Sequence, residues 1–472
     1  MSDMISGEVV PRSPGGISDD RTILQPQWLL LALTPVIMAL VTWGPQQHHY
    51  AAQLWLRFFS LPTLIIESIV IGIALAKGIR PLGIVRRMPV LAQAALAIIV
   101  AIDLGTAMFV APDPGSAILR ANTTLIHLCF GLSAAGLVGQ ASAQFDRDIW
   151  RLIVGGLLLY ALLLTLYVAL IRDPAHFDWG HLGLGVSNIR HVGFFLLVGA
   201  SASLAFAVQA ERKRTYWCWI LATAVFTAFM FWSGSRNPVL AFTVACAIGA
   251  IVVPSMRTWK TAEAWTISTL GGAFASLMHV PPHTVFGLIR MFVSVAVEDP
   301  NALSTGRLGL WMGTLRTFAS KPVFGFGEGQ FIHIVPEAQS MYHHPHNLIL
   351  QFLVQWGAVG ALCAMALLIW AWWRIAHMAR VSADQVLPAF LVLTALGAAS
   401  FFDGIFFFVY PGMIVTLTIA LALGTMLRSE AIQGAGHPPP ESARSFSRGI
   451  STGFPPSTLF SDRWLARVRM PR

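Results

Sequence analysis

His346-Asn347-Leu348-Ile349-Leu350-Gln351-Phe352-Leu353-Val354-Gln355-Trp356-Gly357-Ala358-Val359-Gly360-Ala361-Leu362-Cys363 opens a run that stays apolar to about residue 373. Its length matches the roughly 20 residues needed to cross about 30 Å of hydrocarbon. A polar pair stands at the mouth of this span, and two glycines lie inside it. Similar apolar runs recur along the whole chain. Of its 472 residues, 56% are hydrophobic and only 11% charged, where a soluble domain carries about 25% charged residues. The fold class is therefore all-α, polytopic and membrane-embedded. The ten-residue alternation of a membrane β-barrel is missing.

We read about twelve spans, near 27–44, 58–76, 90–110, 117–140, 149–171, 192–210, 216–232, 238–256, 264–280, 348–373, 386–402 and 405–427, with tight turns at 233–237 and 403–404. With the N-terminus inside, 22 of the 31 basic residues fall in the tails and in alternate loops. The positive-inside rule then sets both termini in the cytoplasm. It also accounts for the net charge of +9 without nucleic acid. Residues 1–26 and the basic 428–472 read as disordered tails on either side of a membrane domain, 27–427. The four cysteines lie inside spans and read as small apolar side chains, not disulfides or metal ligands.

One outer loop, 281–347, is long enough to fold. Residues 285–297 read as a helix lying on the membrane. Residues 303–319 read as an amphipathic helix with Leu308, Trp311, Leu315 and Phe318 on its apolar side. Gly325-Phe326-Gly327-Glu328-Gly329 is a flexible turn that lacks the spacing of a phosphate loop.

Polar residues near the bilayer must be solvated, paired or functional. Arg236, in Ser233-Gly234-Ser235-Arg236-Asn237-Pro238, is either an arginine reaching for the interface or part of an anion site on a helix N-terminus, with Ser233 to Ser235 exposing backbone N–H groups and Pro238 starting the helix. Asn188-Ile189-Arg190-His191 and Arg307 admit the same two readings. Together, three outer arginines suit phosphate oxygens, which guanidinium forks bind two at a time. His343-His344-Pro345-His346 could hold a metal, cap a helix or do acid–base work; no carboxylate or cysteine stands beside them in sequence. Glu67, Asp103, Arg120 and His127 read as polar glue between helices, with a transport path as the sharper alternative. Asp403 falls at an outer turn without an evident role.

In this order, Thr305-Gly306-Arg307 with Trp311, then Pro322 with Gly325-Phe326-Gly327, then His346-Asn347 with Gly357 and Gly360, the segments resemble the O-antigen ligase and polysaccharide polymerase family, and most of all its exopolysaccharide polymerase branch. The resemblance runs from about 186 to 362. It implies transfer of a glycan from undecaprenyl diphosphate to an acceptor hydroxyl at the periplasmic face, without metal or other cofactor. Arg236 and Arg307 would bind the diphosphate, Arg190 would assist, and His346 would orient or deprotonate the attacking hydroxyl. Asn347 would hold sugar or backbone, and His191, His344, Ser235, Gly306 and Trp311 would contribute substrate contacts. The partners implied are the lipid-linked oligosaccharide, an acceptor glycan or lipid A core, and other polysaccharide-assembly membrane proteins. A repeat-unit polymerase is the first reading, a ligase to lipid A core the second. A transporter is the alternative of another kind; it would call for internal repeats, and the sequence has none.

Overall fold

The computed structural model describes residues 25–43, 60–179, 182–186, 188–278, 306–338 and 342–436, together with Gly287, Leu288 and Met291. The helix expected at 285–297 and most of both tails lie outside them. Among the described residues the protein is helical, with one isolated bridge between Gly183 and Val186. The helices are α1 (Pro26–Ala32), α2 (Thr34–Val41), α3 (Leu61–Ala76), α4 (Pro81–Val85), α5 (Val90–Phe109), α6 (Pro114–Gly139), α7 (Phe145–Ala169), α8 (Ile189–Gln209), α9 (Lys213–Trp232), α10 (Arg236–Val252), α11 (Trp259–Ala275), α12 (Arg307–Ser320), α13 (Phe331–Ile334), α14 (Leu348–Val381), α15 (Ala383–Ser400) and α16 (Val409–Gly436).

Eight of these are long and apolar enough to cross a membrane, and α3 and α10 are shorter apolar helices. The twelve expected spans all coincide with helices, but their limits shift. The first breaks at Leu33, since Pro35 has no N–H to continue the ladder. α8 starts three residues early because Asn188 caps it, its side chain accepting from Arg190 N at 2.9 Å. The turn expected at 403–404 widens to residues 401–408, and α16 begins only at Val409.

α8 is apolar on every side and nearly wholly buried, so it forms the centre of the bundle. α9, α15, α7 and α10 pack around it. Glycines permit the closest approaches: a Cβ on Gly193 would meet Pro238 Cγ at 2.8 Å, and one on Gly199 would meet the Phe226 ring at 2.7 Å.

α14 spans 34 residues but is not continuous. Gly357 has φ 66° and ψ −172°, which breaks the helix ten residues after Asn347. The break frees backbone groups that hydrocarbon would penalise. The turn after α12 satisfies them. Phe326 N donates to Val354 O at 2.9 Å and Gly327 N to Gln355 O at 2.8 Å, while Ala358 N donates to Pro322 O at 2.7 Å and Val359 N to Val323 O at 3.3 Å. The glycine-rich turn is thus spliced into the helix. Gly325, Gly327 and Gly329 all have positive φ. Just beyond, the Gln330 side chain bridges the backbone of Asp113, accepting from its N and donating to its O. These bonds fix α12 and its turn to α5, α6 and α14.

α12 occupies 307–320, as its periodicity suggests, but presents a different face. Leu310, Gly313 and Thr314 are buried, while Leu308, Met312 and Leu315 are exposed. Gly313 lies against the Glu337 carboxyl, where a Cβ would fall 2.1 Å from Oε2. Of the expected apolar side, Trp311 and Phe318 are half-buried, Phe318 against the core around Leu310, while Leu308 and Leu315 face away from the protein.

Candidate active site

Four breaks in the bundle meet at one end: the start of α8, the turn 233–235 before α10, and the segments 342–347 and 401–408. α12 closes them from the side. His346 has φ 54°, a left-handed conformation uncommon for a side-chain-bearing residue. His344 holds it there. Its Nδ1 accepts from His346 N at 3.2 Å, and its ring stacks on Phe407 with centroids 4.6 Å apart. A Cβ on Gly404 would lie 2.2 Å from the His344 ring, so only glycine admits that packing.

The His346 side chain turns toward Asp403, with Nδ1 2.8 Å from Oδ1. Gly404 N donates to the same oxygen at 2.8 Å. Arg307 Nη2 donates to Oδ2 at 3.2 Å, and its Nη1 donates to Phe402 O. Burial would raise the Asp403 carboxyl, but His346, Arg307 and His344 outweigh it and hold it well below the usual carboxylate range. An ionised Asp403 can only accept, so His346 donates to it through Nδ1–H, which leaves Nε2 as a proton acceptor.

Arg190 interacts electrostatically with Arg307, Arg236 and Asp403. Arg190 and Arg307 thus both lie near Asp403, and Arg236 lies near Arg190. Arg190 Nε is buried and has no partner among the described residues. Arg236 is the first residue of α10, and the helix begins there rather than at Pro238. The backbone N–H groups expected to be open are partly used: Ser233 N donates to Phe229 O and Gly234 N to Phe231 O. Ser235 is buried against Gly193.

The remaining candidates act on the frame. Asn347 caps α14, its Oδ1 accepting from Leu350 N at 3.0 Å and its Nδ2 donating to Phe401 O at 2.9 Å. Trp311 Nε1 donates to Pro345 O at 2.8 Å. Gly306, at φ 79°, turns the chain into α12. His191 packs on Phe408, with ring centroids 4.3 Å apart. Tyr342 meets His346 edge-on at 5.7 Å. Below the site, Arg120 lies over the Phe407 ring at 4.1 Å, Asp103 accepts from Trp356 Nε1 at 3.0 Å, and His127 Nδ1 is 2.7 Å from Glu67. These intramembrane groups pair within the bundle, which fits polar glue.

His344, His346 and Asp403 offer ligand atoms within 4.8 Å of one another, so the trio has the spacing of a metal site. Its donors are otherwise engaged: His346 Nδ1 with Asp403, His344 Nδ1 with the His346 amide, and Asp403 Oδ2 with Arg307. Nearby guanidiniums also disfavour a divalent cation. We expect EDTA treatment of the purified protein to leave turnover unchanged; loss on chelation, restored by zinc, would reassign the trio to a metal.

The model of a protein family described as O-antigen ligase matches residues 221–365. No match was found among curated proteins. The matched stretch runs from within α9 to within α14, so it contains Arg236, Arg307 and His346, while Arg190 and Asp403 lie outside it. Among the described residues the chain is thus a helical protein with eight helices long and apolar enough to cross a membrane, and its stretch 221–365 is similar to the O-antigen ligase family.

Proposed function

We propose that the protein transfers a glycan from a polyprenyl diphosphate to a sugar hydroxyl at the periplasmic face of the bacterial inner membrane. The observation that carries this reading is the meeting of a His–Asp pair with three arginines at one end of the bundle. The acceptor oxygen attacks the anomeric carbon, and the bond from that carbon to the diphosphate oxygen breaks. The diphosphate leaves with the electron pair, and the hydroxyl proton passes to His346 Nε2. Arg190, Arg236 and Arg307 stabilise the charge that grows on the leaving group. A single displacement of this kind inverts the anomeric centre. No metal takes part in these steps.

The Thr305-Gly306-Arg307 and Gly325-Phe326-Gly327 segments favour a repeat-unit polymerase. The family description favours the second reading, a ligase that places glycan on lipid A core. A gel of lipopolysaccharide and secreted glycan from a deletion strain separates them. Single repeats still capping the core mean a polymerase; a bare core with lipid-linked polymer accumulating means a ligase.

The chemistry is tested with Arg236→Ala in proteoliposomes. We expect kcat/KM for the lipid-linked donor to fall about tenfold to a hundredfold, the loss of one or two charge-assisted hydrogen bonds. Wild-type turnover would remove Arg236 from the anion site.

A further inference from the structure

Tyr342 stands beside the base and takes no part in the displacement. Its backbone N donates to Ala338 O at 3.0 Å. Its ring packs at the edge of a cluster of Leu310, Phe326, Phe331, Val335 and Val354, drawn from α12, the turn after it, α13 and α14. The same ring meets the His346 imidazole edge-on, with centroids 5.7 Å apart and planes at 82°. The body of the side chain is thus held on both sides. Its tip is not. The residue is half-buried, and the phenolic hydroxyl has no hydrogen-bond partner among the described residues. An apolar body with an open polar tip suits a ligand that is part carbon and part hydroxyl.

The two neighbours of Tyr342 say which part of the substrate it faces. In the displacement, the acceptor hydroxyl sits at His346 Nε2 and the diphosphate at the arginines. The sugar being transferred spans the gap between them. Tyr342 touches His346 and interacts electrostatically with Arg190, so it borders the gap itself. A sugar ring there presents hydroxyls, and a phenol can both donate to a hydroxyl and accept from one.

We propose that the Tyr342 hydroxyl hydrogen-bonds to one ring hydroxyl of the donor's first sugar and so selects which sugar is transferred. The proposal rests on the transfer argued above. It gives Tyr342 no proton to move. A site built to bond a hydroxyl rejects the analogue that lacks it, because the protein group is then left unpaired.

Tyr342→Phe removes the hydroxyl and keeps the ring, so the packing on Leu310 and His346 stays. Wild type and variant are assayed in proteoliposomes with the lipid-linked glycan extracted from the deletion strain. They are also assayed with synthetic versions of it in which each hydroxyl of the first sugar is replaced in turn by hydrogen. We expect Tyr342→Phe to lower kcat/KM for the natural donor about tenfold to a hundredfold, with the melting temperature and KM for the acceptor unchanged. One deoxy donor should lower wild type by the same factor and the variant no further, as expected when both changes remove the same bond. Wild-type kcat/KM in Tyr342→Phe would overturn the proposal. So would losses that add with every deoxy donor, or a raised acceptor KM with the donor unaffected, which would move the contact to the acceptor. A wild type that transfers from none of these donors fails the transferase reading and this proposal with it; normal transfer by both proteins fails this proposal alone.

Discussion

Asp403→Asn is expected to lower glycan transfer about 10²–10⁴-fold, the range for losing a positioned general base, while the protein still folds and binds donor. The reason is the proton inventory of one hydrogen bond. Asp403 can only accept, so it fixes the proton of His346 on Nδ1 and leaves Nε2 basic. An asparagine can turn its NH2 toward Nδ1, which moves the proton to Nε2 and removes the acceptor. His346→Ala should cost a similar factor, and the double variant little more, because the two residues act as one unit. The measurement is kcat at fixed saturating donor, with KM for donor as the control for binding. Equal activity of Asp403→Asn and wild type would sink the assignment. The pH behaviour follows from the depressed Asp403 carboxyl. Its stabilising contribution is complete above its unfolded value near 3.9 and is lost only as pH falls through the lower folded value. Asp403 therefore stays ionised across the neutral range, and its pairing does not limit activity there.

Gly357→Ala is expected to abolish the folded protein more thoroughly than any change in the catalytic groups. The new Cβ would sit 2.2 Å from Val323 O and 2.3 Å from Val323 C. These are backbone atoms and cannot rotate aside. The φ of 66° adds backbone strain of about 1–3 kcal/mol, and overpacking adds about 1–3 kcal/mol. Relief requires withdrawing the turn 322–327 and surrendering its four hydrogen bonds to α14. We expect the variant to lose most of its monodisperse peak in detergent and to unfold at a markedly lower temperature. Gly105→Ala on α5, where a Cβ meets nothing within 4 Å, should behave as wild type. Normal melting of Gly357→Ala would show that the splice is not needed for the fold.

The helices were legible because long apolar runs have one stable solution in a bilayer. Their ends were less so, since they depend on caps and breaks such as Asn188 and Pro35. Arg190, Arg236, Arg307 and His346 announced themselves as polar residues beside helix starts, and they do gather at one end. Asp403 did not. It lies 57 positions from His346 in sequence, and Asp-Gly reads as an ordinary turn. Only the packing of 401–408 against 342–347 gives it a partner. Gly357 gave no sign of the break for a related reason: nothing local in an apolar run reveals a left-handed φ. The mate of that break is the Gly325-Phe326-Gly327 turn, and the hydrogen bonds that join them run between residues about 30 apart.

The splice between that turn and α14 also fixes an order of assembly. Synthesis delivers residues 322–327 before 348–381, so the turn must wait outside the membrane until the helix it completes has been inserted. The break at Gly357 leaves the Val354 and Gln355 carbonyls to be answered from outside their own helix. Docking of the turn answers them and, in the same movement, brings Arg307 beside Asp403 and His346. On the roles proposed for Arg307, Asp403 and His346, a chain whose turn has not docked would lack that arrangement.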